Sequence, residues 1–518
     1  TDYPGGGATA KLANNEKRSY LIENIFTYDV PFRDKNHKLV LTAVQSVDHT
    51  QSKELGYSTA SLPVDMGWDF IANGEFSGKP VRTFSENNLV SFMGRASYTL
   101  MDKYIMNIAV RRDGSSRFGK NNKWGTFPSI ALAWRINQEE FLRNVSWIDN
   151  LKLRLSYGIV GNQNGIGNYT TLGLANEYRY EFGDNMYMGY LPGKELSNPN
   201  LKWEQSRTTN VGVDFAFFKN RLSGTIEYYQ TRTTDLLVKR EINSVLGYEN
   251  MLDNLGETKS HGVDINISGD VIRTKDFSWN LSANFSYNKN KITELYNGVD
   301  EYEIASTNLK YVVGRSSTEF YINRYAGVNP ANGDALWYTK DGEITTEFRD
   351  SDKVMTGKSF VAPWQGGFGT TLTWKGISLA AQFSWVADRW VFNNDRYLDE
   401  GNGLFETYNQ SRRLLYDRWK KPGDVTDIPR YGVTPQMDSR FLEDASFLRL
   451  KNLMLSYNFP QALLKKTNFL THLRVFVQGQ NLLTFTKFSG LDPEGVSNMY
   501  QAQYPSTRQF TFGLEVSF

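Results

Sequence analysis

The sequence predicts an all-β fold, an antiparallel barrel of membrane-spanning strands. Three observations point there: a strict two-residue alternation of apolar and polar side chains, connectors that alternate short with long, and a composition rich in aromatics and glycine. The alternation is clearest at the end of the chain. In QFTFGLEVSF, Phe510, Phe512, Leu514, Val516 and Phe518 fall on one parity, and Gln509, Thr511, Glu515 and Ser517 on the other. Successive side chains in a strand point to opposite faces, so this segment has one apolar and one polar face.

The same pattern recurs along the chain. FSWNLSANFSYN sets Phe277, Trp279, Leu281, Phe285 and Tyr287 against Ser278, Asn280, Ser282, Asn284 and Ser286. LKLRLSY sets Leu151, Leu153, Leu155 and Tyr157 against Lys152, Arg154 and Ser156. Period-2 patterning of this extent predicts strands near 20–30, 38–50, 88–100, 103–112, 126–137, 150–160, 204–217, 222–233, 259–268, 277–289, 366–374, 377–387, 446–459, 471–480 and 508–518.

The connectors separate a barrel from a soluble sandwich. Met101-Asp102, Phe218–Arg221 and Lys375-Gly376 read as tight turns, whereas 161–203, 290–365 and 388–445 are long, polar and rich in Gly and Asn. Short turns on one side and long loops on the other are the habit of outer-membrane barrels. The polar faces of such strands, with Arg95, Lys152, Arg154, Asp214, Glu227 and Asp264, would then line the interior. Fifteen strands is an odd number, while single-chain bacterial barrels have an even one, so an ascending strand is expected ahead of residue 1. The stretch FYINRYAGV (320–328) offers one more strand but would break the alternation.

Composition excludes several classes. Tyr, Phe and Trp number 29, 32 and 12, mean hydropathy is −0.49, and no apolar run is long enough for a transmembrane helix. The net charge of +2 gives no electrostatic case for nucleic acid. There is no cysteine, hence no disulfide or thiolate metal site. TDYPGGGATA lacks a charged segment followed by an apolar core, so no signal peptide is expected there. The histidines (His37, His49, His261, His472) have no metal-ligand spacing, and G-x-S-x-G, H-E-x-x-H and C-x-x-C are missing, so no enzyme is expected.

Several stretches resemble one family. DGSSRFGKNNKWGTFPSIALAWRI (113–136), LKLRLSYGIVGNQ (151–163), NPNLKWEQS (198–206), GYENMLDNLGETKSHGVDI (247–265), DASFLRLKNLMLSYNFP (444–460) and GQNLLTFTKFSGLDPE (479–494) are similar to SusC-type (SusC/RagA family) TonB-dependent transporters of the Bacteroidetes. The resemblance covers most of the chain, from about residue 90 to its end. It implies the C-terminal portion of a 22-stranded outer-membrane barrel, with residues 1–518 as barrel and the N-terminal plug and first strands outside this sequence. It also implies a SusD-like surface lipoprotein as lid, a dimer of that transporter–lipoprotein pair, contact with outer-membrane lipid, and energy delivered by TonB–ExbB–ExbD through the N-terminal region. The implied cargo is an oligosaccharide, with oligopeptides as the alternative. The final Phe518 resembles the C-terminal aromatic signal read by the outer-membrane assembly machinery.

Sugar sites stack rings on aromatics and hold hydroxyls with carboxylates and amides. Candidates of that chemistry are Trp337, Trp364, Asp388, Arg389, Trp390, Tyr397 and Tyr408, and the same segments also offer Tyr338, Asn393, Asn394 and Asp395. The same residue types form membrane-interface girdles and pack long loops, which is the competing reading. FRDSDK (348–353) and DEGNG (399–403) have the acidity of calcium loops but no EF-hand spacing, so no cofactor is expected and calcium is the alternative. GNQNGIG (161–167) leads into NYTTLG and not a helix, which removes a phosphate-loop reading. Arg111, Arg112 and Arg117 in RRDGSSR suit loop packing better than contact with anionic lipopolysaccharide. A soluble extracellular β-rich glycan-binding or glycan-cleaving protein is the reading from a different class; it would lack the loop asymmetry.

Overall fold

The computed structural model describes residues 8–62, 68–183, 185–243, 245, 247–304, 308–405, 407, 409–467, 469–495 and 497–518. Fifteen long strands form a large antiparallel sheet whose order is the order of the chain. They are β1 (Ala8–Val30), β2 (His37–Leu62), β3 (Val81–Leu100), β4 (Tyr104–Ser115), β5 (Trp124–Arg135), β6 (Ile148–Asn162), β7 (Glu204–Phe217) and β8 (Leu222–Thr234). The rest are β9 (Glu257–Arg273), β10 (Phe277–Glu294), β11 (Trp364–Trp374), β12 (Ile377–Ala387), β13 (Phe447–Asn458), β14 (His472–Thr486) and β15 (Gln509–Ser517). Every strand read from the alternation is present. β1, β2 and β3 are longer than the pattern indicates, because their outer ends carry polar side chains on both faces, as in NNEKRS (14–19) of β1. FYINRYAGV does not join the large sheet. Glu319–Ile322 pairs with Val354–Ser359, and Arg324–Val328 with Ala335–Tyr338, inside a long loop.

The chain divides into two compact units: residues 1–132, 156–208 and 233–255, and residues 133–155, 209–232 and 256–518. In the first, β1 to β4 pair antiparallel in chain order, from Val30↔Leu39 through His37↔Leu100 to Leu100↔Tyr104, with a register shift only between Ala8 and Ala10. Met101 and Asp102 turn the last corner with φ of 53° and 55°, and the Lys103 amide donates to the Leu100 carbonyl. The loop core of this unit gathers segments far apart in sequence. Phe118, Phe127, Ile166, Leu201, Trp203 and Leu252 are all buried there, with Phe118 and Phe127 rings 4.7 and 5.5 Å from Trp203. Glycine is required at 161, where a Cβ would lie 2.1 Å from the Phe127 ring. Thus GNQNGIG supplies a packing site for an aromatic. Arg117 bonds Asn168 Oδ1 at 3.1 Å and the Gln163 carbonyl at 3.4 Å, which makes it a loop-packing residue.

In the second unit, β9 to β15 pair in chain order. The register aligns whole rows: Tyr287↔Trp364↔Ala387, Ala283↔Phe368↔Phe383 and Phe277↔Trp374↔Ile377 on one face, Ser282↔Gly369↔Gln382 on the other. Lys375 and Gly376, with φ of 45° and 92°, form a two-residue hairpin loop in which both central residues are left-handed, the twist-matched turn for antiparallel strands. The apolar face stays open: Phe368, Trp374, Phe510, Phe512 and Leu514 are all exposed. Trp364 and Trp374 mark its limits on β11. Ten residues at about 3.3 Å, tilted by roughly 40°, rise about 25 Å, the height of the apolar band of a membrane barrel. The polar face is cross-braced instead. Arg154 donates to Asp214 at 2.7–3.0 Å and pairs with Glu227, Lys152 sits 3.4 Å from Asp214, and Asn210 donates to Glu227 at 3.3 Å.

Among the described residues no helix is long and apolar enough to cross a membrane. The strands take that role, and the two faces of β11 should respond oppositely to charge. Phe368→Arg, near the middle of the apolar face, is expected to cost about 2–4 kcal/mol in refolding into lipid bilayers, whereas Thr371→Arg on the polar face should cost less than about 1 kcal/mol. Equal costs would contradict the assignment of faces.

Candidate functional site

The long connectors 295–363, 388–446 and 487–508 of the second unit fold into a body with its own core. Phe320, Ile322, Phe392, Phe441 and Leu442 are buried together, and Val391, Ala445, Phe488 and Tyr500 form a second cluster. Trp390–Asn393 pairs with Leu442–Asp444 on one side and, in parallel, with Met499–Tyr500 on the other. A short helix, α1 (Asn394–Asp399), follows directly, capped by the Asn393 side chain, which accepts from the Arg396 amide at 3.0 Å. Asn has a short acceptor side chain suited to an N-cap.

Helix α1 places Arg396 and Glu400 one turn apart, and around them lies a closed charge network. Arg396 reaches Glu400 at 2.8 Å, Asp427 at 3.0 Å and Glu443 at 3.1 Å. Arg413, on helix α2 (Arg413–Tyr416), reaches the same Glu400 oxygen at 2.5 Å, and its Nη2 donates to both Asp427 carboxylate oxygens at 2.7 and 2.8 Å. Burial works against the charges of Arg413 and Asp427, yet each outweighs it for the other. The Arg413 pKa stays above its ordinary value, with Glu400 assisting, and that of Asp427 stays below. This network borders an 880 Å³ pocket also lined by Asp395, Asp399, Asp444 and Lys487. Burial, with Asp395 and Glu400 nearby, raises the Asp399 carboxyl pKa from its ordinary value. A pocket with six carboxylates and three bases suits a polar, donor-rich ligand.

The sequence-derived candidates are placed differently from one another. Trp337 is buried, and its indole N–H donates to Asp438 at 2.7 Å, so it is a core residue with no face for a ligand. Desolvation pushes Asp438 up to about 6 despite that bond. Trp364 belongs to the apolar face of β11, its ring 4.2 Å from Tyr287, which is a girdle position. Arg389 is buried and donates to the carbonyls of Phe360 at 3.2 Å and Pro493 at 2.7 Å, holding loops together. Burial lowers its pKa. Trp390 lies under the Lys358 ammonium, 3.6 Å from the ring centre, and donates to Asp388 at 3.2 Å. Asp388 is exposed beside it. Tyr397 packs against Phe405 and Phe441 at 5.5 and 5.4 Å. Tyr408 lies outside the described residues. Phe518 is exposed, with its ring stacked on Phe469 at 6.2 Å. Of the residues that these segments offer, Asn393 and Asp395 line the charged pocket, whereas Trp337, Trp364, Asp388, Arg389, Trp390 and Tyr397 do not. Its own residues were not foreseen as a group, although Asp399 and Glu400 begin DEGNG, and Arg396/Glu400 spacing is a readable helical ion pair. Among the described residues no three acidic or histidine side chains gather as metal ligands.

A second ionic contact fixes the last long connector. Arg449 on β13, nearly fully buried, meets Asp492 at 2.5 Å and Glu494 at 2.7 Å, and Asp492 also accepts the Ser506 and Glu494 amides at 2.8 and 2.9 Å. Burial opposes the Asp492 charge, but Arg449 and the amides override it and hold this carboxyl well below the usual range. A depressed folded-state pKa stabilises above the unfolded value and fades as pH falls through the folded one. Removing the arginine leaves a buried carboxylate unpaired, so Arg449→Met should cost about 3–5 kcal/mol. Limited proteolysis should then cut within 487–508 at pH 7, where the wild-type chain resists; wild-type resistance should persist down to about pH 4 and weaken below it. Unchanged protection in the variant would remove this contact from the account.

Comparison with known proteins agrees with these features. The model of the family described as TonB dependent receptor-like, beta-barrel, matches residues 2–482. TonB-dependent receptor SusC of Bacteroides thetaiotaomicron is 34% identical over 87% of this chain and 46% of its own length. TonB-dependent receptor P3 of Formosa agariphila is 32% identical over 99% of this chain and 53% of its own. A solved structure of the RagAB peptide transporter superposes with a TM-score of 0.88 at 31% identity, over 98% of this chain and 56% of that one. The chain therefore spans about half the length of the relatives it matches. With alternating two-faced strands, connectors of unequal length and this match over nearly its whole length, the chain belongs to the TonB-dependent receptor β-barrel family of the outer membrane, in its SusC/RagA type, a family of receptors and transporters and not of enzymes.

Proposed function

We propose that this chain is the barrel portion of an active importer that carries a polar nutrient oligomer across the outer membrane. The observation that carries the reading is the match of residues 2–482 to the receptor barrel family, joined to a polar pocket built in the long loops. In this reading TonB supplies the energy, and a surface lipoprotein of SusD type sits over the long loops as a lid. Two cargo classes have support. The sequence motifs of SusC type imply an oligosaccharide; the RagAB peptide transporter, similar over 98% of this chain, favours an oligopeptide. Trp337, Trp364 and Tyr397, expected as platforms for sugar stacking, are used in packing or on the apolar face, and the charged pocket offers polar groups in their place.

Deleting the gene in its native host and growing the strain on a panel of single glycans and defined peptide mixtures tests this. Loss of growth on one substrate, restored by the full-length gene but not by one lacking its TonB-contacting segment, is the expected result. Normal growth on every glycan and peptide tested would overturn it. Affinity purification from the membrane should bring down a lipoprotein of similar abundance.

A further inference from the structure

The apolar face of β1 to β3 carries a polar exception at its middle. Its rows are Tyr20↔His49↔Asn88, Ile22↔Val47↔Val90, Asn24↔Gln45↔Phe92, Phe26↔Ala43↔Gly94 and Tyr28↔Leu41↔Ala96. Tyr20 and Val30, ten residues apart like Trp364 and Trp374, bound a rise of about 25 Å on β1, and Asn24 lies about 10 Å inside it. Asn24 Nδ2 donates to Gln45 Oε1 at 2.7 Å. Among the described residues neither side chain makes another hydrogen bond, so the Asn24 carbonyl oxygen and the Gln45 amino group are left over. Gln45 is flanked by Asn24 and Phe92, and its diagonal neighbours Ile22, Phe26, Val90 and Gly94 are apolar, so the sheet itself offers no partner.

Gly94 is a second, independent anomaly. A Cβ there would meet nothing within 4 Å, and its φ is not left-handed, so neither crowding nor backbone calls for glycine. Glycine weakens a strand interior and marks places where another chain approaches closely. Gly94 and Ala43 floor a 950 Å³ recess walled by Phe26, Phe92, Val110 and the two amides.

Lipid tails would fill the recess but leave both amides unpaired at a depth without water. A protein partner must present one acceptor, one donor and a bulky apolar side chain. A second copy turned about a twofold axis presents all three: its own Asn24 oxygen, its Gln45 amino group and its exposed Phe26 ring. We infer that two copies of this chain pack together in the membrane through this face of β1 to β3. The amides of each exchange hydrogen bonds with those of the other, and each recess admits the other's aromatic side chain. The inference rests on the assignment of strand faces and not on import or its cargo.

The full-length protein tests this in outer membranes and in detergent. Ala43→Cys, oxidised in the membrane with copper phenanthroline, should give a disulfide-linked species of twice the chain's mass. Its yield should be at least about tenfold that of Leu379→Cys, on the apolar face of β12; Gly94→Cys makes the same test should Ala43→Cys not fold. In detergent the wild-type protein should sediment as two copies. Asn24→Leu combined with Gln45→Leu suits lipid but not a polar contact, and should weaken self-association at least about tenfold, with heat-modifiable migration verifying the fold. Cross-linking no greater than at Leu379, a cross-linked species containing a different protein, a wild-type protein that sediments as one copy, or a double variant that associates as tightly as the wild type would each overturn the assignment.

Discussion

A strand inside a bilayer has no water to satisfy its backbone N–H and C=O groups, so every ladder bond must be made to a neighbouring strand. The rest of this molecule follows from that constraint. Pairing in chain order through short hairpins satisfies the backbone with little loop-closure cost on one side, as at Lys375-Gly376. It also forces side chains onto two faces with different solvents. Phe285, Trp364, Phe368 and Trp385 gather on one, and Asn284, Gly367, Ser282 and Gln382 on the other. The Arg154–Asp214–Glu227 brace shows what the second face permits: charges that would be prohibitive against lipid are paired across three strands.

The other ends of the strands are free of that constraint, and there the chain builds small cores of its own. Each is assembled from segments that look like loop filler in isolation. Phe118, Leu201 and Trp203 come from DGSSRFG and NPNLKWEQS, and Gly161 makes room for Phe127 among them. Arg449 and Asp492 join two further motif stretches through a buried ion pair whose value is positional: it holds segment 487–508 against β13 so that Met499–Tyr500 can complete the sheet beside α1. The charged pocket therefore depends on the ion pair that seats segment 487–508, which supplies part of its lining.

How much of this was legible in the sequence differs sharply between strands and site. All fifteen strands were readable because period 2 is set locally, residue by residue, and because left-handed turn residues sit at predictable places. The pocket was not. Its charges come from 395–400, 413, 427, 443–444 and 487, whose approach is decided by tertiary packing and by no local pattern. Aromatic content misled in the opposite direction. Trp337 and Trp364 have the right chemistry for sugar stacking, but a buried indole needs a partner, found in Asp438, and a membrane interface recruits Trp for its own reasons. Residue type alone does not distinguish these uses; only position does.

The central claim is that the two faces of each strand meet lipid and water respectively. The chain has no cysteine, so single cysteines can be introduced along Trp364–Trp374 without background. Spin labels at these eleven positions, in the protein reconstituted into bilayers, report collision rates with oxygen and with a water-soluble nickel chelate. The account predicts a two-residue alternation, with oxygen dominant at 366, 368, 370 and 372 and nickel dominant at 365, 367, 369 and 371. Nickel access at every position, or access without alternation, would contradict it.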